Sequence, residues 1–175
     1  KQFENHEIKR NYKALIWGKP EIRNKKYMSL DGFSKEGEVF RIQKNIKRHS
    51  FDRKKMSVSD VGKYACTRFK INEVLGDLKK PAACLVDCWL ETGRTHQIRV
   101  HLNFIGNSIV GDKVYGKKSN FFYNNENLKI LSFAPRHSLH AYSLGFIHPQ
   151  KNKYLFFEVD IPEDMKKTID FFQKL

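Results

Sequence analysis

The chain has 175 residues, 40% of them hydrophobic and 30% charged, which excludes an unfolded tail and fits one folded domain. Its formal net charge of +14 points to a polyanionic partner. No run approaches the ~20 apolar residues of a membrane helix, so no membrane partner is expected. Three cysteines are too few for a secreted disulfide framework. No charged-then-apolar leader follows Lys1, and the cytoplasm is the expected compartment.

Arg10 to Trp17 (RNYKALIW) reads as a strand closed by Gly18 and Pro20. The polar stretch from Glu21 to Glu36 reads as loop, and Gly37 to Ile46 as a segment that holds a strand. Between Arg41 and Lys55 seven basic side chains stand against Asp52 alone. That stretch is either a phosphate-contacting surface or a solvated loop. Lys63 to Val74 and Ala83 to Leu90 alternate as strands, with Gly76 and Asp77 at the turn between them. Cys84, Val86, Cys88 and Leu90 would share one face of the second strand. That pattern is a core stripe rather than a zinc site, which would need a closer cysteine pair and further ligands.

After Gly93, Thr95 is positioned to cap a helix. Ile98, Leu102 and Ile105 form its apolar face, and Gly106 ends it. Arg99 sits at the border of that face, from which it can reach a partly buried site. Ser108 to Gly116 is a compact loop, and Phe121 to Asn127 reads as an insertion or loop. Ser138 to Ile147 and Lys153 to Asp160 form a hairpin pair around His148-Pro149. A last helix starts at Pro162, with Met165, Ile169 and Phe172 as its apolar face. The sum is a single α+β domain, mostly antiparallel sheet with a few helices.

Several chemistries are absent. There is no GxGxxG, no P-loop, no HExxH and no Gly-x-Ser-x-Gly elbow. His96 and His101 are spaced wrongly for helical zinc ligation, so no metal is expected. What remains is the segment from Glu91 to His101, dense in Thr, Arg, His and Gln. On spacing alone it is either a capped surface helix or a helix start that receives phosphate.

Thr92-Gly93-Arg94-Thr95-His96-Gln97-Ile98-Arg99-Val100-His101-Leu102, followed by Ile109-Val110-Gly111-Asp112 and Tyr115-Gly116, resembles the hallmark motif of the RluA family of RNA pseudouridine synthases. Arg10 to Leu15 with Gly18, Lys54-Lys55-Met56, Gly62 to Thr67, and Arg136 to Ala141 with Phe146 and His148-Pro149 resemble further family segments in the family's order. The resemblance runs over essentially the whole chain.

It implies the pseudouridine synthase fold and an isomerase acting on RNA. The C1′–N bond of a uridine breaks, the base turns, and C5 rejoins the sugar, with no cofactor or metal. Tyr12 matches the active-site tyrosine that packs on the flipped base and helps remove the C5 proton; the lesser alternative is a cross-strand packing residue. Arg99 matches the arginine that pairs with the catalytic aspartate; read alone, it is a surface phosphate ligand. Leu139 is expected to wall the pocket, and Arg94, His96, Lys54 and Lys55 to contact RNA. Ribosomal RNA is the expected substrate, with transfer RNA the alternative, and a monomer is expected. The family's catalytic aspartate lies in an H-R-L-D motif before the tyrosine strand, and none of these aspartates has an Arg-Leu-Asp context. The chain is therefore expected to be the C-terminal part of a catalytic domain, inactive alone. A non-catalytic RNA-binding module on the same fold is the competing expectation.

Overall fold

Alternation along the first strand, β1 (Lys9–Trp17), splits its side chains between two cores. Tyr12, Ala14 and Ile16 face one side, while Leu15 and Trp17 face the other. The computed structural model describes residue 2 and residues 8–20, 30–116 and 134–175. The remaining strands are β2 (Phe33–Glu36), β3 (Val39–Gln43), β4 (Ile46–Arg48), β5 (Met56–Val58), β6 (Cys66–Leu75), β7 (Ala83–Leu90), β8 (Leu139–Ile147) and β9 (Tyr154–Glu158). The helices among the described residues are α1 (Gln97–Phe104) and α2 (Glu163–Gln173).

Among the described residues seven strands form one sheet in the order β2-β3-β6-β7-β1-β8-β9, and every pairing is antiparallel. β1 lies between β7 and β8, so both its edges are satisfied. Its register sets Tyr12 opposite Cys88, Ala14 opposite Val86 and Ile16 opposite Cys84. These cross-strand pairs all face α1 and join Phe40, Ile42 and Phe69 in one core with Ile98, Leu102 and Ile105. On the opposite face Leu15, Trp17, Leu75 and Leu85 meet Met165, Ile169 and Phe172 of α2. The fold is therefore α+β, with one helix on each face of the sheet.

The predicted core stripe of β7 is present: Cys84, Val86 and Cys88 are fully buried and the cysteines are free thiols. Burial, with the Asp87 charge adding to it, pushes the Cys88 thiol far above its ordinary range. Three expectations need correction. The stretch read as loop up to Glu36 contains β2, which Phe33 anchors by stacking on Phe40. The basic stretch is not a plain loop, because β4 and β5 pair there as a separate two-stranded hairpin. Ile46 and partly buried Met56 and Val58 supply its apolar side against Val100 and Tyr115, and short apolar spacing amid charges hid it. The cap of α1 is His96, in a left-handed conformation at φ 56°, rather than Thr95. The expected insertion from Phe121 to Asn127 lies outside the described residues.

Phe69 is fully buried and stacks on Phe40 with ring centroids 4.9 Å apart. Phe69→Ala should lower unfolding free energy by about 3–5 kcal/mol, the usual penalty for an emptied aromatic site. Urea denaturation reads this as an earlier midpoint with an unchanged slope.

Candidate functional site

The site is built where the start of α1 meets β6. Gln97 opens the helix with its side chain buried. Its Nε2 donates to the Cys66 carbonyl at 2.9 Å and to Thr67 Oγ1 at 3.1 Å. Its Oε1 accepts from Thr92 Oγ1 at 2.7 Å and from the Arg94 backbone N–H at 2.9 Å. Thr92 Oγ1 in turn accepts from the Cys66 N–H. One turn on, His101 is fully buried between Thr67 Oγ1, 2.9 Å from Nδ1, and the Lys44 carbonyl, 3.0 Å from Nε2. A carbonyl only accepts, so Nε2 carries the proton and Nδ1 accepts from Thr67. Every side chain of this buried network is satisfied, which fixes the roll of α1 over the sheet.

That roll sets Arg99 at the edge of the core. The side chains of Arg99 and Asp112 are 11% and 1% exposed. Arg99 Nε donates to Asp112 Oδ2 and Nη2 to Oδ1, each at 2.8 Å, a two-pronged pair. Asp112 Oδ1 also accepts from the backbone N–H groups of Val114 and Tyr115. Burial works against the Asp112 carboxylate, but Arg99 and these amides outweigh it and hold its pKa below the ordinary range. Nη1 of Arg99 has no hydrogen-bond partner among the described residues. The guanidinium also lies 4.8 Å from the Tyr115 ring centre.

Asp112 reaches this position through a tight turn. Ser108 to Val110 runs beside the end of β1, with Val110 N–H donating to the Leu15 carbonyl and Ser138 N–H to the Val110 carbonyl. Gly111 follows at φ 75°. A Cβ there would stand 2.2 Å from the Arg136 carbonyl oxygen, so glycine alone permits the approach. Tyr115 then ties the turn to the hairpin: its hydroxyl accepts from the Met56 N–H at 2.8 Å and lies 2.7 Å from His96 Nδ1. Burial and the Arg99 charge lower the pKa of His96, and the same two causes lower that of His137. Both rings are neutral near pH 7.

Tyr12 and Leu139 occupy the same sheet face as α1. Both pack on the core that contains Ile98, and Leu139 pairs with Ala14, two residues along from Tyr12. The β1–β8 register shifts between Asn11 and Tyr12, leaving Tyr142 as the extra residue of a bulge beside Tyr12. No hydrogen bond joins Tyr12 to Arg99 among the described residues. Of two clefts, one of about 480 Å³ lies between Asp31 and Tyr64 and one of about 340 Å³ is lined by Tyr115, Val114 and Met56 beside the site, and Tyr12 lines neither.

The predicted contact residues divide. Lys54 is exposed and Lys55 is 3.5 Å from Asp52. Arg94 spends Nε on the Tyr64 carbonyl at 3.0 Å. His96, expected on the RNA surface, is half-buried and held by Tyr115. The sequence reading gave Arg99 no carboxylate of this chain, whereas the structure gives it Asp112. The signal was present in Gly111-Asp112, but a scan for Arg-Leu-Asp passes over it. Among the described residues no cluster of His, Cys, Asp or Glu could hold a metal ion. No helix among them is long and apolar enough to cross a membrane.

A sequence model described as RNA pseudouridylate synthase matches residues 1–104. The chain is 40% identical over 167 residues to the ribosomal large subunit pseudouridine synthase D of Zymomonas mobilis, covering 94% of this chain and 45% of that protein. It is 35% identical over 173 residues to an uncharacterized RNA pseudouridine synthase of Bacillus subtilis, covering 99% and 47%. The chain thus spans about half the length of these curated relatives. Its fold matches the human RNA pseudouridylate synthase domain containing 1, with a TM-score of 0.62 at 18% identity, over 99% of this chain and 69% of that one.

Burial lowers the His101 pKa from 6.5 to about 4, so the folded state resists protonation that the unfolded chain accepts. Stability from this residue is complete above about pH 6.5 and is lost as pH falls toward 4. Urea denaturation at pH 7 and pH 4.5 should show a loss of about 2–3 kcal/mol attributable to His101. His101→Asn should have a shallower pH slope, and equal slopes would rule this assignment out.

Proposed function

Because the chain belongs to the RNA pseudouridylate synthase family, we propose that the protein it forms part of isomerises uridine to pseudouridine in large-subunit ribosomal RNA. The kinship to a large-subunit synthase supports this choice of substrate, with transfer RNA the alternative. The cytoplasm is the compartment that such a substrate implies for a bacterial-type enzyme, and the working unit is a monomer.

The geometry of Arg99 carries the reading. Its Nε–Nη2 edge is taken by Asp112, which leaves Nη1 and the outer side of Nη2 to grip a second carboxylate end-on. A catalytic aspartate bound there would be kept ionised and oriented by a cation that is itself locked. Asp112 then acts as a positioning residue, and the Tyr115 ring closes the other side of the guanidinium. None of the chain's aspartates has the Arg-Leu-Asp context that the family resemblance gives this aspartate.

Tyr12 supplies the second element. It lies on the α1 side of β1, next to a bulge in the pairing with β8. In this role its ring packs on the extruded uracil and its hydroxyl helps take the C5 proton, while Leu139 forms an apolar wall. A uridine within folded RNA must leave its stack to reach these residues. Arg94, His96, Lys54 and Lys55 are assigned to the RNA, with His96 acting from the site's wall rather than from open surface. Binding through lysines and arginines releases counterions, so affinity should fall steeply with salt.

The test maps pseudouridine in ribosomal RNA after the full gene is returned to a knockout. Arg99→Lys keeps a cation for Asp112 but offers no second edge. Tyr12→Phe removes only a hydroxyl. Each should lower pseudouridine formation by about a hundredfold or more; the denaturation midpoint should hold in Tyr12→Phe and fall in Arg99→Lys, which stays folded but loses the two-pronged bond to Asp112. If the wild-type gene leaves ribosomal and transfer RNA unmodified yet the protein binds RNA, the protein is a non-catalytic RNA-binding module.

A further inference from the structure

Phe51 lies in the connection between β4 and β5 and is 95% exposed. A single exposed apolar residue is ordinary by itself. Here the surroundings give it a purpose.

The connection is braced from within. His49 Nδ1 accepts from the backbone N–H groups of Phe51, at 3.3 Å, and Asp52, at 3.1 Å. His49 N–H donates to the Lys55 carbonyl, and Lys55 N–H donates to the Asp52 carbonyl, each at 2.9 Å. Asp52 Oδ1 accepts from the Lys54 N–H, and Arg48 Nη1 donates to the Arg53 carbonyl. The turn therefore uses its polar groups on itself and holds the ring outward. The ring's contact with its own turn is an edge approach to His49, 6.3 Å between centroids.

The charges around it have one sign. Lys47, Arg48, Arg53 and Lys54 are exposed, and Asp52, the acid of the turn, is engaged by Lys54 N–H and Lys55. A lone ring among cations makes a poor hydrophobic interface with protein, which requires a contiguous apolar patch. It suits a polyanion with flat apolar faces, because nucleobases stack on aromatic rings while cations take the phosphates.

The base of the hairpin is also joined to the site. Met56 N–H donates to the Tyr115 hydroxyl, whose ring lies under the Arg99 guanidinium. A base stacked at the tip is thereby held by a rigid arm that starts at the proposed catalytic arginine. Extruding a uridine leaves its neighbours without a stacking partner, and an inserted or abutting side chain compensates for that loss.

We propose that Phe51 is an RNA-stacking residue: its ring packs on an unpaired nucleobase close to the target uridine, while the cations beside it hold the flanking phosphates. This rests on the RNA-directed reading above, and the test separates the two.

The probe is a fluorescein-labelled stem–loop RNA with a uridine-rich loop containing 2-aminopurine, titrated with the protein at several salt concentrations. Phe51→Ala should weaken binding about tenfold, the value of one base–aromatic stack, with an unchanged salt slope. It should also abolish the change in 2-aminopurine fluorescence on binding, and Phe51→Trp should restore both. The ring is in solvent, so the denaturation midpoint of Phe51→Ala should match the wild type. If Phe51→Ala binds as tightly as wild type while the combined Lys47, Arg48, Arg53 and Lys54 alanine variant loses binding, RNA recognition stands and stacking is overturned. If the wild-type protein binds no RNA, both readings fall. If Phe51→Ala abolishes self-association and leaves RNA affinity unchanged, the ring serves contact between copies and the proposal is overturned.

Discussion

The buried amide of Gln97 is the interaction from which the geometry of the site follows. Apolar packing of Ile98, Leu102 and Ile105 would hold α1 against the sheet but would tolerate small rotations and slides, because such contacts have little direction. The amide does not. It binds the Cys66 carbonyl, Thr67 and Thr92 at once, and His101 repeats the anchorage a turn later through Thr67 and Lys44. An unpaired member of this network would cost the desolvation of a buried polar group, so the register of helix against strand has one low-energy value. Arg99, two residues after Gln97, inherits that value.

The same logic explains how a charged pair is tolerated beside the core. Arg99 and Asp112 are largely removed from water, which is costly for both ions. The two-pronged geometry, the amides of Val114 and Tyr115 and the facing Tyr115 ring recover much of that cost. Charge elsewhere is handled differently. Arg68 and Arg41 both reach Glu91, and Lys13 is paired with Asp87, whereas the β4–β5 hairpin leaves much of its charge in solvent. The molecule thus has a stiff ionic centre and a cationic arm beside it.

Much of the fold could be read from the sequence where period and burial agree. β1, β7, β8 and α2 lie within a residue or two of their expected limits, because alternation or a 3.6-residue stripe was unbroken. The β4–β5 hairpin was missed because its three-residue strands carry Lys47 and Arg48 outward and are anchored by distant Val100 and Tyr115. The cap at His96 was missed because a left-handed histidine leaves no trace in spacing. At the site, the motif singled out Arg99 and Tyr12, whereas the bond of Asp112 to Arg99 became visible only through packing. Its role depends on Gly111 passing under the Arg136 carbonyl, a long-range contact that spacing does not encode.

β1 lies in the interior of the sheet although it is the earliest strand of the described chain. Ala14 is matched to Val86 on one edge and to Leu139 on the other, so β1 leaves the ribosome long before either neighbour exists. Until then both of its edges are open, carrying Ala14, Leu15 and Ile16 in a form that invites pairing with the wrong chain. Loop closure over such separations is slow, and this part of the sheet cannot close before β8 has been synthesised. A protein wired in this way depends during its manufacture on shielding that its finished form does not need.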